Sequence, residues 1–189
     1  NEIKRHKTAA LLALLIVAGA GLTYAVYRFA WQMKSKVAHF QNMKITRVTN
    51  EGNVGAVTIS PDGKYIAYSL RQAGTISLWT KHLASGSRVQ IVATTQANRM
   101  QPSAFTPDGG YVYYIFEDEQ NPQGTLYQVP VLGGASKKIL SEIQTTISLS
   151  PDGKQFSFGR VHFAAVVEYE QLLANSDGTN VRRLLSVKE

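Results

Sequence analysis

Three aspartates, Asp62, Asp108 and Asp152, lie 46 and 44 residues apart, each between a proline and a glycine. Carboxylates can act as general bases or metal ligands. In a Pro-Asp-Gly phrase, however, proline presets φ, Asp accepts hydrogen bonds from nearby amides, and glycine takes the left-handed conformation that closes a hairpin. We therefore assign a structural turn role to three triplets: Pro61, Asp62, Gly63; Pro107, Asp108, Gly109; and Pro151, Asp152, Gly153.

Other catalytic signals are absent from the sequence. The four histidines are scattered without metal-ligand spacing, and no G-x-S-x-G elbow, glycine-rich phosphate loop, HRD triplet or DFG triplet occurs. No cysteine is present, which excludes a disulfide framework and a thiolate site. We predict no catalytic residue, no metal site and no cofactor, so this segment is not expected to be an enzyme.

The net charge of +7 lies almost entirely in the amino-terminal quarter of the chain. Residues 1–47 hold eight Lys or Arg against one acid, and the remainder is neutral overall. A basic protein can suggest nucleic-acid binding, but this excess flanks an apolar segment rather than the repeats. Nucleic acid is therefore not a predicted partner.

The apolar segment runs for 20 uncharged residues, from Thr8 to Tyr27, and aromatic residues follow its far end. A helix of that length spans about 30 Å, the thickness of a bilayer core. We predict a transmembrane helix over 8–31, a basic cytoplasmic flank over 1–7 and a juxtamembrane linker over 32–43.

Three questions about this segment stay open from the sequence. Ala18-Gly19-Ala20 could be the cleavage site of a secretory signal. Counting basic residues weakly favours a cytoplasmic carboxyl side, although long domains often override that bias. Ala18, Gly21 and Ala25 share one helix face, so a homodimer is a further alternative.

Residues 44–189 form three repeated units, each of which contains one Pro-Asp-Gly sequence, called here the phrase. The first unit predicts strands at Ala56–Ser60, Tyr65–Leu70, Ile76–Leu83 and Arg88–Val92, because small and β-branched residues alternate there. Segments similar to the fourth strand recur at Lys44–Thr49, Lys137–Leu140 and Val181–Leu185, and second turns recur at Gly86, Gly133-Gly134 and Gly178. A period of about 45 residues with four strands is typical of propeller blades. The third unit departs from the others in its apolar connection, 162–167, and its third strand is expected near Tyr169–Ala174.

ISPDGKYIAYS in the first unit, with TPDGGYVYY and SPDGKQFSF after it, resembles the TolB-type, WD-like β-propeller repeat. SLWTKHLASG and TLYQVPVLGG resemble the third strand and turn of the same family. The resemblance covers about residue 44 to the end. It implies an all-β fold: a partial propeller of three four-stranded blades, preceded here by one transmembrane helix.

A basic flank, an apolar helix and FQNMKITRVTN leading into the repeats also resemble one bacterial arrangement. It is the transmembrane and periplasmic part of membrane-anchored serine/threonine protein kinases or winged-helix regulators. That resemblance implies a single-pass inner-membrane protein whose periplasmic propeller senses a protein, peptide or envelope ligand and signals to an effector. The alternatives are the propeller of a prolyl-oligopeptidase-type peptidase and a soluble periplasmic scaffold like TolB.

Three blades do not close a ring, since propellers have four to eight. We expect either further blades in the native chain or two copies joined in one ring. Ligands are expected at the end of the propeller that carries the entry loops and the connections between second and third strands. The candidate rim residues there are Arg71, Arg99, Glu117 and Asp118.

Overall fold

The computed structural model describes residues 19–28, 45–49, 52–163 and 166–188, which divide into two compact units, 1–46 and 47–189. In the first unit, residues 19–28 form helix α1, in which the Thr23 hydroxyl donates to the carbonyls of Gly19 and Ala20. Within the described residues, no helix combines the length and the apolar content needed to cross a membrane. The rest of the predicted span, 8–18 and 29–31, lies outside the described residues.

The second unit contains twelve strands in its described residues, arranged as three antiparallel sheets of four. Blade 1 comprises β1 (Val54–Ile59), β2 (Tyr65–Gln72), β3 (Thr75–His82) and β4 (Arg88–Thr95). Blade 2 comprises β5 (Arg99–Phe105), β6 (Tyr111–Glu117), β7 (Thr125–Pro130) and β8 (Lys137–Ser141). Blade 3 comprises β9 (Ser148–Leu149), β10 (Gln155–His162), β11 (Glu168–Asn175) and β12 (Arg182–Lys188). In each blade the strands pair in chain order, which confirms the predicted four-stranded units.

One strand prediction differs from the structure, and one observed strand is unusually short. Residues 45–49 form no strand, so the predicted strand at Lys44–Thr49 is wrong for its described part. Residues 45–49 pair with no strand of the described part of the chain, and a strand needs a partner for its backbone groups. The inner strand of blade 3, β9, has only two residues, whereas the inner strands of the other blades have six and seven.

Among the described residues, two apolar cores lie between successive blades. Because side chains alternate along a strand, Val112 and Tyr114 of β6 pack towards blade 1, and Tyr113 and Ile115 pack towards blade 3. Burial in these two layers raises the pKa of the Tyr113 and Tyr114 hydroxyls above their usual range. Blade 2 is therefore stabilised by a neighbouring blade on each of its faces.

The phrase forms one repeated turn at the end of each inner strand. In blade 1 the Ser60 hydroxyl donates to Asp62 Oδ1 at 2.7 Å, and the Lys64 amide donates to the same oxygen at 3.0 Å. The Tyr65 amide in turn donates to Ser60 Oγ at 2.9 Å. Thr106 with Asp108, and Ser150 with Asp152, make the same set of bonds in blades 2 and 3. Gly63 has a φ of 69°, in the left-handed region that the turn requires.

The second turn of a blade packs against the outer strand of the preceding blade. A Cβ on Gly178, at the β11–β12 turn, would lie 2.1 Å from the Ile139 carbonyl oxygen of β8. Gly133, at the β7–β8 turn, lies in the same relation to β4, with a Cβ position 3.7 Å from the Gln90 carbonyl oxygen. Gly178 thus permits an approach that a side chain would block, whereas the distance at Gly133 is that of an ordinary van der Waals contact.

Candidate binding face

One end of the propeller collects the starts of the inner strands and the connections between second and third strands. This grouping follows from the antiparallel pairing of the strands, because β1, β5 and β9 run away from that end and β2, β6 and β10 return to it. The opposite end carries the phrase turns. We call the first end the rim face, and all four candidate rim residues lie on it.

Arg99 and Glu117 face each other across the β5–β6 pair. The Arg99 Nε lies 2.8 Å from Glu117 Oε2, and both side chains are partly buried. The same guanidinium donates to two carbonyls at the entrance of blade 3, Gln144 at 3.0 Å and Ile143 at 3.4 Å. Arg99 and Glu117 therefore join blade 2 to blade 3, and their charges pair with each other within the fold.

Arg71 makes a similar contact one blade earlier. Its Nη2 donates to the Asn98 carbonyl oxygen at 3.2 Å, and the Asn98 amide donates to the Glu117 carbonyl oxygen at 2.9 Å. The Arg71 side chain is nevertheless exposed at the end of β2. A guanidinium has five donor N–H groups, so this contact leaves most of its capacity for solvent or a ligand.

Asp118 lies in a polar cleft of about 440 Å³ on the rim face. Its Oδ1 accepts hydrogen bonds from the Asn121 amide at 2.7 Å and from Asn121 Nδ2 at 3.0 Å, which fixes the carboxylate in the connection after β6. The lining residues of the cleft come from three loops of blades 1 and 2: Gly74, Gln96, Ala97, Asn98, Asp118, Glu119 and Gln120.

The cleft offers hydrogen bonding from side-chain amides and carboxylates at a scale suited to a small ligand or a few peptide residues. Two carboxylates and three amides line it, and all of its lining side chains are polar except Ala97. Gln96, Asn98 and Gln120 are not among the rim residues predicted from the sequence. The polar stretch TTQANRMQ between blades 1 and 2 is the sequence feature that points to Gln96 and Asn98.

At the rim of blade 3, side chains replace part of the inner strand. Gln144 Nε2 donates to the Val161 carbonyl oxygen at 3.3 Å, and the Val161 amide donates back to Gln144 Oε1. The Gly159 amide donates to Thr145 Oγ1 at 2.7 Å. These bonds occupy the backbone groups of β10 that a longer β9 would pair.

The phrase aspartates lie at the end opposite the rim face. Bonds from the Ser60 hydroxyl and then from the Lys64 amide lower the pKa of Asp62 to about 2. The corresponding hydroxyls, from Thr106 and Ser150, lower the pKa of Asp108 and Asp152. Such carboxylates remain ionised acceptors at neutral pH, which fits a turn role rather than proton transfer.

Two histidines lie in the described residues, and each has a local partner. His82 Nδ1 lies 3.0 Å from the Ser85 hydroxyl in the β3–β4 turn. His162 Nε2 lies 2.9 Å from Glu170 Oε2 in blade 3, and this contact lowers the pKa of the Glu170 carboxyl. In the part of the chain that the structure describes, no three His, Cys, Asp or Glu side chains are grouped to hold a metal ion. His6 and His39 lie outside it.

Comparison with solved structures identifies the class of fold. A protein assigned as TolB from Agrobacterium tumefaciens is 20% identical, with a TM-score of 0.60, over 74% of this chain and 52% of its own. TolB from Acinetobacter baumannii is 20% identical, with a TM-score of 0.54, over 69% of this chain and 32% of its own. The described blades therefore form a partial β-propeller of the TolB type.

A prolyl endopeptidase structure is also similar, at 19% identity and a TM-score of 0.54, over 71% of this chain and 22% of its own. This chain thus spans about half or less of the length of the proteins that it matches. No protein-family model matches the sequence, and comparison with curated proteins gives no match. At these identities the likeness describes the fold alone.

Proposed function

We propose that this chain is a membrane-tethered, extracytoplasmic propeller that binds a protein, peptide or envelope ligand at its rim face. The observation that carries the proposal is the polar cleft beside Asp118, formed by three loops that the blades hold in place. Loops positioned by a rigid scaffold are the usual place for recognition. The opposite end of the propeller is less suited to binding, because the side chains of its Pro-Asp-Gly turns hydrogen-bond within those turns.

Support for the tether comes from the first unit. All ten described residues of α1 are exposed, including Leu22, Tyr24, Val26 and Tyr27 at 58–68%. They belong to the uncharged run of 20 residues, and a helix that is apolar on every side needs cover from lipid or protein. The proposed topology is a single pass through the bacterial inner membrane with the propeller in the periplasm. The effector would precede the helix, as in the kinases and regulators that the sequence resembles.

The tether is tested by flotation of the purified chain with lipid vesicles. The chain should float with vesicles and should remain bound after an alkaline wash that strips peripheral proteins. A variant with Leu22→Asp and Val26→Asp places two charges in the apolar segment, and it should stay at the bottom of the gradient. Recovery of the unsubstituted chain at the bottom would contradict membrane tethering and would favour the soluble scaffold.

The binding face is tested by site-specific photocrosslinking in the producing cells. A photoreactive residue at Gln120, in the cleft, is compared with one at Ala84, at the β3–β4 turn of the opposite end. We expect discrete crosslinked species from Gln120 that Asp118→Ala or Gln96→Ala weakens. Equal patterns from the two positions would count against recognition at the rim face.

A second candidate is the propeller of a prolyl-oligopeptidase-type peptidase, which the likeness to a prolyl endopeptidase favours. The catalytic serine would then lie in a separate hydrolase domain of the parent protein. The parent reading frame distinguishes the two: a G-x-S-x-G motif after the propeller supports the peptidase, and a kinase or winged-helix domain before the helix supports the sensor.

A further inference from the structure

A small cavity of about 170 Å³ lies on the rim face between blades 1 and 2. We call it the serine pocket, because Ser69 is the most deeply buried polar residue of its lining. Its volume suits one functional group of a larger ligand rather than a whole drug-sized molecule. The lining residues come from the starts of β1 and β5 and from β2 and β3 near their rim ends: Gly55, Ala56, Ser69, Arg71, Ile76, Arg99, Met100 and Gln101.

The Ser69 hydroxyl is buried but makes no bond within the fold. Ser69 is 7% exposed, and in the described part of the chain its hydroxyl has no hydrogen-bond partner. A Cβ on Gly55 would lie 2.7 Å from Ser69 Oγ, so glycine at this position keeps the hydroxyl accessible from the pocket. The β1–β2 register shifts between Val54 and Val57, which places a bulge opposite Ser69. Because buried polar groups normally have a partner, an unpartnered hydroxyl in a cavity points to a ligand.

Blade 3 has the reverse arrangement at the same position of the repeat. Gly159 is the counterpart of Ser69, eight residues after the phrase proline, and Thr145 is the counterpart of Gly55, six residues before it. The Thr145 hydroxyl is used within blade 3, where it accepts a hydrogen bond from the Gly159 amide at 2.7 Å. Blade 2 has the fully buried Ile115 at the position of Ser69. Among the three described blades, an unpartnered hydroxyl at this position is therefore particular to blade 1.

Arg71 supplies a positive charge beside this hydroxyl. It lies two residues after Ser69 on β2, so both side chains are on the face turned towards blade 2. Within the described residues, the bond to the Asn98 carbonyl is the only one that its guanidinium makes, and no carboxylate lies within ion-pair distance of it. A carboxylate accepts hydrogen bonds from both arms of a guanidinium fork. The free donors of Arg71 therefore match an acidic group.

The polar cleft beside Asp118 limits the charge of that group. Asn98 lines the cleft and accepts the hydrogen bond from Arg71, so the cleft and the serine pocket adjoin. Asp118 and Glu119 of the cleft disfavour further negative charge nearby. Arg99, the other cation in the pocket lining, is already engaged in an ion pair. The surroundings thus favour a carboxylate with one negative charge, flanked by neutral or basic groups, over a phosphoryl dianion.

We propose that the serine pocket binds the carboxylate of an aspartate or glutamate residue in a peptide segment, with Arg71 and Ser69 donating to its oxygens. This inference rests on the proposed function, recognition at the rim face, and names the acidic group that is recognised. The adjoining part of the peptide lies in the cleft, where side-chain amides bond to its backbone. Recognition then requires one acidic residue whose neighbours are uncharged or basic.

Binding is tested by NMR on the ¹⁵N-labelled complete chain, in detergent at low ionic strength. The ligands titrated are N-acetyl-aspartate α-amide, its asparagine counterpart and inorganic phosphate. We expect saturable shifts of the Gly55 and Ala56 amide resonances with the aspartate compound, and at least about tenfold weaker binding of the asparagine compound. Absence of a saturable shift, equal binding of the asparagine compound, or tighter binding of phosphate would overturn the proposal.

Substitutions locate the carboxylate in the pocket. Arg71→Gln removes the cation and Gly55→Ala fills the pocket without a change of charge, so each should weaken binding of the aspartate compound at least about tenfold. Arg71→Lys keeps the charge without the fork and should lose less. Lys138→Ala on β8 is the matched control and should leave the affinity unchanged. Gly55 and Arg71 are exposed, so unfolding midpoints should change little and show that the variants fold. Unchanged affinity with Arg71→Gln would overturn the assignment.

Crosslinking from Gln120 separates this inference from the proposed function. Arg71→Gln should weaken the crosslinked species, and Lys138→Ala should not. Crosslinks that persist with Arg71→Gln would overturn the serine pocket but leave recognition at the rim face standing. Equal crosslinking from Gln120 and Ala84, with the NMR shifts intact, would contradict the proposed function alone.

Discussion

Arg99 and Glu117 are joined at 2.8 Å across β5 and β6, and the same arginine reaches the Gln144 carbonyl oxygen of the next blade at 3.0 Å. One side chain thereby connects two strands of blade 2 with the entrance of blade 3. Arg160 acts similarly from within blade 3, where its Nε donates to the Glu142 carbonyl oxygen at 3.0 Å. Charged residues on the rim face thus hold blades in register before any ligand is considered.

We predict that Arg99→Ala lowers the free energy of unfolding by about 2–4 kcal/mol, because it leaves a partly buried carboxylate without its ionic partner and two carbonyls without their donor. Arg99→Lys keeps the charge but lacks the planar fork, so its loss should be about half as large. Denaturant titration followed by tyrosine and tryptophan fluorescence measures both values.

A matched control for Arg99→Ala is Lys138→Ala, which removes an exposed cation from β8. Its effect should stay within about 0.5 kcal/mol. If Arg99→Ala is equally mild, the ion pair with Glu117 does not tie the blades together.

We predict a large difference between two glycine substitutions. Gly63 and Gly178 both have positive φ, 69° and 87°, so alanine is strained by about 1 kcal/mol at either position. An added Cβ meets nothing within 4 Å at Gly63 but would lie 2.1 Å from the Ile139 carbonyl oxygen at Gly178. Gly178→Ala should therefore cost about 1–3 kcal/mol more than Gly63→Ala, because blade 3 must move away from blade 2.

Thermal and denaturant unfolding of the two variants provide this comparison. Gly63→Ala is the internal control for backbone strain without a steric clash. Equal losses for the two variants would mean that the β11–β12 turn does not pack tightly on β8.

The sequence predicted the blades well because their determinants are local. Alternating side chains define β2 and β3, and the phrase needs only residues 60–65 to build its turn. Spacing of the phrase then gave the number of units. The fold class follows from these features without any long-range contact.

The roles of the rim residues could not be read from the sequence because they depend on partners far along the chain. Arg99 bonds to carbonyls 44 and 45 residues away, and carbonyls carry no signature of their own in a sequence. The strand prediction for residues 45–49 is wrong for a different reason. Their alternation resembles that of an outer strand, but alternation alone does not supply a neighbour with which to pair.

We predict that Gln144→Ala weakens the inner edge of blade 3. Gln144 offers one donor and one acceptor to the backbone of Val161, as a strand would, so truncation should cost about 1–3 kcal/mol. Hydrogen exchange at the Val161 amide should become at least tenfold faster, while exchange at Tyr113 in blade 2 should change little. Unchanged protection at Val161 would mean that solvent or another group replaces the glutamine without loss.

We predict that Asp62→Asn destabilises the protein at pH 7 and that this effect disappears in acid. The pKa of Asp62 is lowered to about 2, from an unfolded value near 4, chiefly by the Ser60 hydroxyl. A lowered carboxyl pKa contributes stability that is complete above the unfolded value and is lost as the pH falls through the folded value. The difference in unfolding midpoint between the unsubstituted protein and Asp62→Asn should therefore be constant from pH 7 to about 5 and should shrink between about pH 4 and 2.

Glu119→Gln removes the same charge from an exposed rim position and controls for net charge. A midpoint difference that persists unchanged at pH 2 would show that the asparagine fails for reasons of shape, and that the ionised carboxylate is not what stabilises the turn.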